Sequence, residues 1–328
     1  MAIESVVLAG IVANIASSVG IVITNKFVWS AHGFNFVATL SFLHFVTTAL
    51  ATRTLLAARF FEYKPAPLAG VMPVAIGTLG SVAFMNLNLA ANSVGFYQIS
   101  KLACIPATLI LQYLLFKKQV SEKTRYSLLV ILLGVGISTV TDVNVNFIGM
   151  AYALIAVAFT ALGQIYTGSS QQQLGLDSMQ LLHHSSPIIA VGMFVCIFLF
   201  DDVGALLQFE YTSSAVFLIA LTCVLAVGVN VSNYLVIGKT SPITYQVVGH
   251  SKTCLVLVLG FLAFSTPVTL RSIAGIVIAM AGVIWYGEVK RVESNASAKL
   301  PQYVSVSKND IALDTFDDGK LSDNEDSA

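Results

Sequence analysis

Long apolar runs alternate along this chain with short polar breaks, and the lengths of the runs dictate what it can be. Ten of them reach about 17–25 residues, enough to cross a bilayer as a helix. They lie near 6–28, 36–58, 71–91, 94–116, 126–142, 147–168, 179–200, 214–238, 242–264 and 272–288. Some separators are very short, such as Asn92-Ser93 and Lys239-Thr240-Ser241, so the helices they join must be antiparallel hairpins. The pattern predicts an all-α polytopic membrane protein with ten transmembrane helices.

Composition agrees. The chain is 56% hydrophobic and 10% charged, against roughly 25% charged in an ordinary soluble domain. Of its 34 charged side chains, 13 fall in the last 40 residues. The stretch from Asp310 holds seven acids and one lysine and reads as a disordered, solvated tail. Basic residues set the orientation. With the N-terminus in the cytosol, Arg53, Arg59, Lys64, Lys117, Lys118, Lys123, Arg125, Lys239, Lys290 and Arg291 all lie at cytosolic ends, and only Arg271 lies opposite. Both termini are therefore expected in the cytosol. Cys104, Cys196, Cys223 and Cys254 fall inside spans and read as small packing residues. No transit-like segment precedes the first span, which argues against a plastid address.

A shift of 148 residues superposes two parts of the chain without a gap. Asn92–Gln98 (NSVGFYQ) falls on Thr240–Gln246 (TSPITYQ), Val120–Thr124 (VSEKT) on Val268–Ser272 (VTLRS), and Leu133–Val135 on Ala281–Val283. At an offset of 142, GFN at Gly33 falls opposite GLD at Gly175. The expected organisation is a five-helix repeat over 1–145, an inverted second repeat over 146–288, and the acidic tail over 289–328. An odd number of spans turns the second copy upside down. Such inverted pairs are typical of transporters, because related halves supply inward-open and outward-open states.

Three cations remain inside spans: Lys26, Lys101 and Lys252. A charge at that depth costs about 2.5–3.5 kcal/mol even on lenient insertion scales. At 1.5 Å per residue, Lys101 lies about 10 Å from one edge of the core and Lys252 about 15 Å from the other. Their depths then differ by only about 5 Å in a core about 30 Å thick. Apart from Asp142 and Glu288 at the very ends of their spans, no Asp or Glu lies inside the ten expected spans to pair with them. One reading has the lysines deprotonated, or snorkelling to bond helix carbonyls. The reading that the pattern favours is an anionic substrate whose phosphates complete the site. The missing carboxylates also disfavour proton- or sodium-coupled symport and favour exchange of one anion for another.

Around these lysines the expected substrate-binding set is Lys101, Lys252, Thr253, Tyr97, Gln98, Tyr245, Gln246, Asn86, Asn233, Gln164, Lys26 and His250. The two Tyr-Gln pairs lie nearer opposite faces, where side chains could close alternate ends of a cavity. Pro106, five residues past Lys101, frees a backbone carbonyl. Each polar residue at depth also has an ordinary reading as an interhelical hydrogen bond. His183 and His184 point about 100° apart on a helix with no thiol or carboxylate nearby, so no metal site and no cofactor are expected. Gly275, Ala279 and Gly282 are spaced for close helix contact, with a homodimer partner one candidate. Membrane lipid is the expected surround, and nothing suggests a nucleic-acid partner.

The residues ITNK in the first span, GFYQISKLACIP in the fourth and SPITYQVVGHSKTCLVLVLG in the ninth resemble the triose-phosphate/nucleotide-sugar translocator family of the drug/metabolite transporter superfamily. The resemblance covers nearly all of 6–288. It implies a ten-helix exchanger of phosphorylated solutes, phosphate-binding roles for Lys101 and Lys252, Tyr245 beside the anion, and a Golgi membrane, with the endoplasmic reticulum a second candidate. The residue after the ninth-span lysine is Thr253, where plastid sugar-phosphate members carry arginine. That Lys-Thr pairing looks most like the UDP-xylose members, beside UDP-galactose and UDP-rhamnose carriers. A UDP-sugar entering against a nucleoside monophosphate, UMP, is the implied exchange, with UDP-arabinose another candidate cargo.

Two rivals stand beside it. A sugar-phosphate/phosphate antiporter of the same fold would want the second span-nine cation, which is absent. A membrane-embedded enzyme would want paired intramembrane aspartates or a His-Glu-x-x-His helix, and neither is present.

Overall fold

Among the described residues the apolar runs form helices, and several of their ends are fixed by polar caps or by glycine. The structure, a computed structural model, describes residues 2–92, 94–139, 147–250, 252 and 270–299. They form α1 (Ala2–His32), α2 (Val37–Ala57), α3 (Leu68–Ala91), α4 (Val94–Phe116), α5 (Glu122–Thr139), α6 (Phe147–Leu174), α7 (Ser178–Phe200), the short α8 (Val203–Leu207) and α9 (Ser213–Lys239). A helical segment over 242–250 is α10, and α11 covers Leu270–Lys299. No strand occurs among the described residues.

Seven of these helices contain a stretch long and apolar enough to cross a membrane: α1, α2, α3, α6, α7, α9 and α11. Ser100–Phe116 in α4 is a shorter apolar helix. Residues 140–146 and 253–269, where parts of the fifth and ninth expected spans fall, lie outside the described residues, as do 300–328 of the tail. Large apolar side chains face outward, among them Leu8, Ile110, Val191, Phe217 and Val277. A water-facing surface would not leave so many uncovered. The chain is an all-helical, multi-pass membrane protein.

Helix ends repeat along the chain. α3 and α9 end at Ala91 and Lys239, α4 and α10 begin at 94 and 242, and α5 and α11 begin at Glu122 and Leu270. Each pair is 148 residues apart. α1 and α6 end at His32 and Leu174, 142 apart. The next residue in each is a glycine in the left-handed region, Gly33 at φ 67° and Gly175 at φ 58°. A side chain there would be strained, so glycine stops both helices. Ser241 caps α10 by accepting from the Thr244 backbone N–H at 3.1 Å, and Ser121 does the same for α5 through Thr124 at 3.2 Å.

The body Met1–Tyr286 is one compact unit. One core cluster joins α4, α5, α10 and α11 through Ile105, Ile131, Val247 and Ala279. Another joins α2, α3 and α7 through Phe45, Ala75 and Ile189. α3 and α6 cross where Gly77 meets Gly163, and a Cβ on either would enter the other's backbone. Glycine at both positions is what permits that approach. The small face of α11 is also used within the chain: a Cβ on Gly134 of α5 would meet Ala279 and Gly275, and one on Gly282 would meet Ile131. These residues, proposed from spacing as a contact to a second copy, pack against α5 of the same chain.

Gly287–Ala328 forms a second unit. Within its described part, Arg291 pairs with Glu288 and Lys290 with Glu293, both at 2.7 Å.

Candidate functional site

α1, α9 and α10 meet around one cation. The Lys252 ammonium donates to Asn14 Oδ1 at 2.6 Å and to Ser18 Oγ at 3.1 Å. It also lies over the Tyr245 ring, 5.5 Å from the centroid, within cation–π range. Asn14 is fully buried. Its amide nitrogen donates to Asn233 Oδ1 at 2.6 Å and to Ser232 Oγ at 2.9 Å. Among the described residues no carboxylate pairs with Lys252, so its partners are neutral dipoles and a ring face. Such a cation is held, but its charge is not cancelled.

Lys101 of α4 lies within electrostatic range of Lys252 and of the buried His250. Gln246 of α10 is buried. Its amide donates to Thr108 Oγ1 at 2.6 Å and to Gln164 Oε1 at 2.8 Å, which ties α10 to α4 and α6. The Gln246 carbonyl oxygen is buried without a partner among the described residues.

Beside the lysine is a cavity of about 300 Å³. Gln164, Asn233 and Tyr245 of the expected set line it, together with Ser41, His44, Thr78, Ser81, Thr160, Thr167 and Asn230. These polar groups carry no acidic or lysine/arginine charge and are interspersed with apolar side chains such as Ile21, Phe45, Val82 and Val229. His44 Nε2 is 3.0 Å from Thr222 Oγ1. The Thr222 hydroxyl gives its one proton to the Ile219 carbonyl at 2.7 Å, so it accepts from His44 and the ring carries its proton on Nε2. Asn230 donates to Thr48 at 3.0 Å, and Ser81 and Thr160 share a bond of 2.6 Å. Neither Lys101 nor Lys252 lines this cavity, but Asn233 and Tyr245 belong both to its lining and to the Lys252 cluster, so a cation and neutral hydrogen-bonding groups stand close together.

Of the other expected site residues, Asn86 is partly buried on α3 but does not line this cavity. Pro106 lies inside α4 and is exposed. The side chains of Lys26, Tyr97 and Gln98, and Thr253 as a whole, lie outside the described residues. Cys104, Cys196 and Cys223 are buried free thiols, in keeping with packing roles. His183 packs edge-on against Tyr63 and His184 lies tilted against it, and His184 Nε2 bonds the Lys64 carbonyl at 2.8 Å. Among the described residues no His/Cys/Asp/Glu group could hold a metal.

Sequence reading does not single out Asn14, Ser18, Thr108 or His44. A signal exists for the first two, which are four residues apart and so share one face of α1. For Thr108 and His44 only the helix crossings decide.

Comparison with known proteins gives the family. The chain is 42% identical over 318 residues to UDP-xylose transporter 3 of Arabidopsis thaliana, covering 94% of this chain and 89% of that one. It is 40% identical over 291 residues to UDP-rhamnose/UDP-galactose transporter 1 of the same plant, covering 87% and 84%. A crystal structure of another protein, 14% identical, shares the fold with a TM-score of 0.70 over 88% of this chain and 99% of its own. The model of the Triose-phosphate Transporter family matches residues 8–287, a range that holds every residue of the lysine cluster and of the cavity wall. Family model and relatives agree over nearly the whole chain, and this protein belongs to the Triose-phosphate Transporter family.

Proposed function

We propose that this protein is a nucleotide-sugar carrier of the Golgi membrane. It exchanges a cytosolic UDP-sugar for lumenal UMP by alternating access. The observation that carries this reading is Lys252, a half-buried ammonium whose hydrogen-bond partners among the described residues are neutral, close to a cavity whose polar lining groups are uncharged. A diphosphate supplies the missing charge, and the sugar and base find hydrogen bonds along that lining. Relatives at 40–42% identity that are named for UDP-xylose and for UDP-rhamnose/UDP-galactose support a UDP-sugar. UDP-xylose is the first candidate, with UDP-galactose, UDP-rhamnose and UDP-arabinose behind it.

The reading includes ten spans in two inverted five-helix repeats, with both termini in the cytosol. Helix ends that recur at 148 and 142 residues, and the left-handed glycine after both α1 and α6, support the repeat. Fixed lysines disfavour reorientation of the empty carrier, which makes exchange obligatory.

Proteoliposomes holding the purified protein test this. Uptake of labelled UDP-xylose and a panel of nucleotide sugars is measured with vesicles preloaded with UMP, GMP, inorganic phosphate or nothing. Uptake that depends on internal UMP is the expected result. Uptake driven only by internal phosphate, or uptake of triose phosphates, would hand the site to the sugar-phosphate antiporter instead.

A further inference from the structure

We propose that Asn14 is a positioning residue of the carrier, holding the Lys252 ammonium in the empty state and turning the Asn233 amide N–H donors to the cavity. The identity of the ligand rests on the transport reading above. The meeting of Asn14 with Lys252 does not.

Valence makes the arrangement one-way. An ammonium only donates, so Asn14 must present Oδ1 to Lys252. Its two N–H groups then go to Asn233 Oδ1 and Ser232 Oγ. Ser232 accepts because its own proton goes to the Gly228 carbonyl at 2.7 Å. Asn233 has its oxygen engaged, so its nitrogen is what remains for the cavity that it lines. The charge of Lys252 thus decides, through one fully buried amide, which polarity Asn233 offers a ligand. That polarity is a donor, matched to carbonyl and hydroxyl oxygens such as those of a pyrimidine base or a sugar.

Neutrality is the second part of the role. Asn14 and Ser18 satisfy two ammonium donors with dipoles that a phosphate oxygen can displace. A carboxylate in the same place would not yield, because a paired buried charge is far harder to separate than a hydrogen bond to an amide. It would also remove the uncompensated charge that disfavours return of the empty carrier.

The test uses the full chain in detergent and in proteoliposomes. Asn14→Asp is expected to raise the melting temperature of the ligand-free protein, and to lower it when combined with Lys252→Met. In vesicles, Asn14→Asp raises uptake without internal nucleotide relative to uptake with UMP, a ratio that a general folding lesion leaves unchanged. Asn14→Ala and Lys252→Met, alone and together, form a cycle in which the two losses of melting temperature are expected not to add. Additive losses, or an Asn14→Asp variant destabilised equally with and without Lys252, overturn the proposal. UMP is the ligand probe: a wild-type protein that it does not stabilise, but that inorganic phosphate does, counts against the nucleotide reading and leaves the ligand-free comparisons to judge Asn14.

Discussion

Asp201 grips Thr39 twice, accepting its backbone N–H and its hydroxyl on Oδ2, both at 2.7 Å, while Oδ1 takes the Ala38 N–H at 3.1 Å. Asp201 follows the last residue of α7, and Thr39 lies in the first turn of α2. One carboxylate therefore caps a helix that began 164 residues earlier in the chain. Asp201→Ala strips these bonds from the N-terminus of α2 and is expected to cost about 1–3 kcal/mol. Thr39→Val removes only the hydroxyl and should cost less. Thermal unfolding in detergent ranks the two, and equal effects would argue against the cap.

A Cβ has no room at the crossing of α3 and α6. Gly163→Leu forces the helices apart at Gly77, and overpacking of this kind costs about 1–3 kcal/mol or more. Gly287→Ala is the control, because a Cβ there meets nothing within 4 Å. Yield of monodisperse protein after gel filtration is the readout. It should fall for the first variant and hold for the second.

Lys252→Met removes the ammonium and keeps the stem. Hydrogen bonds to a charged partner contribute about 1.5–3 kcal/mol, so exchange should fall by roughly 10- to 150-fold at subsaturating substrate. Lys252→Arg keeps the charge but brings a larger planar fork to a position already filled by Asn14, Ser18 and Tyr245, and it should rescue poorly. Full activity in a folded Lys252→Met protein would remove the lysine from the site.

Gln246 holds Gln164 by donating to its oxygen, so the Gln164 nitrogen is the atom left for the cavity. Gln164→Leu should raise the apparent KM for the sugar nucleotide more than it lowers the maximal rate. Gln246→Leu, two bonds poorer, should lower both. A concentration series of substrate for each variant separates the two patterns.

Exchange of a UDP-sugar for UMP moves little net charge near neutrality, since a phosphate monoester carries about −1.5 to −2 there. Uptake into UMP-loaded vesicles is expected to be indifferent to an imposed membrane potential at pH 7.5. It should become potential-sensitive as pH falls below about 6, where UMP takes up its second proton. Uptake that follows a proton or sodium gradient at neutral pH would contradict the mechanism.

Much of this was legible along the chain. A bilayer demands that each crossing segment satisfy its own backbone groups, so apolar length alone announced the helices. Lys101 and Lys252 stood out for the same reason, as charges where hydrocarbon makes charge expensive. The recurrence of helix ends at 148 residues matches polar identities at that same offset, because turns tolerate few residue types and therefore keep a recognisable signature.

What the chain could not announce is which way each helix faces. Asn14, Ser18, Thr108 and His44 are single polar residues in apolar helices. Only rotation and crossing decide whether such a residue bonds its own helix, a neighbour or a ligand. The small face of α11 shows the same limit: Gly275, Ala279 and Gly282 could be recognised as a contact surface, but not as one filled by α5 of the same chain. Sequence alone determined the membrane, the helices and the two misplaced cations, since these follow from the energetics of each segment against lipid. The neutral hub at Asn14, and the cavity beside it, were decided only by tertiary packing, which joins residue 14 to residue 252 through contacts between helices that no segment carries by itself.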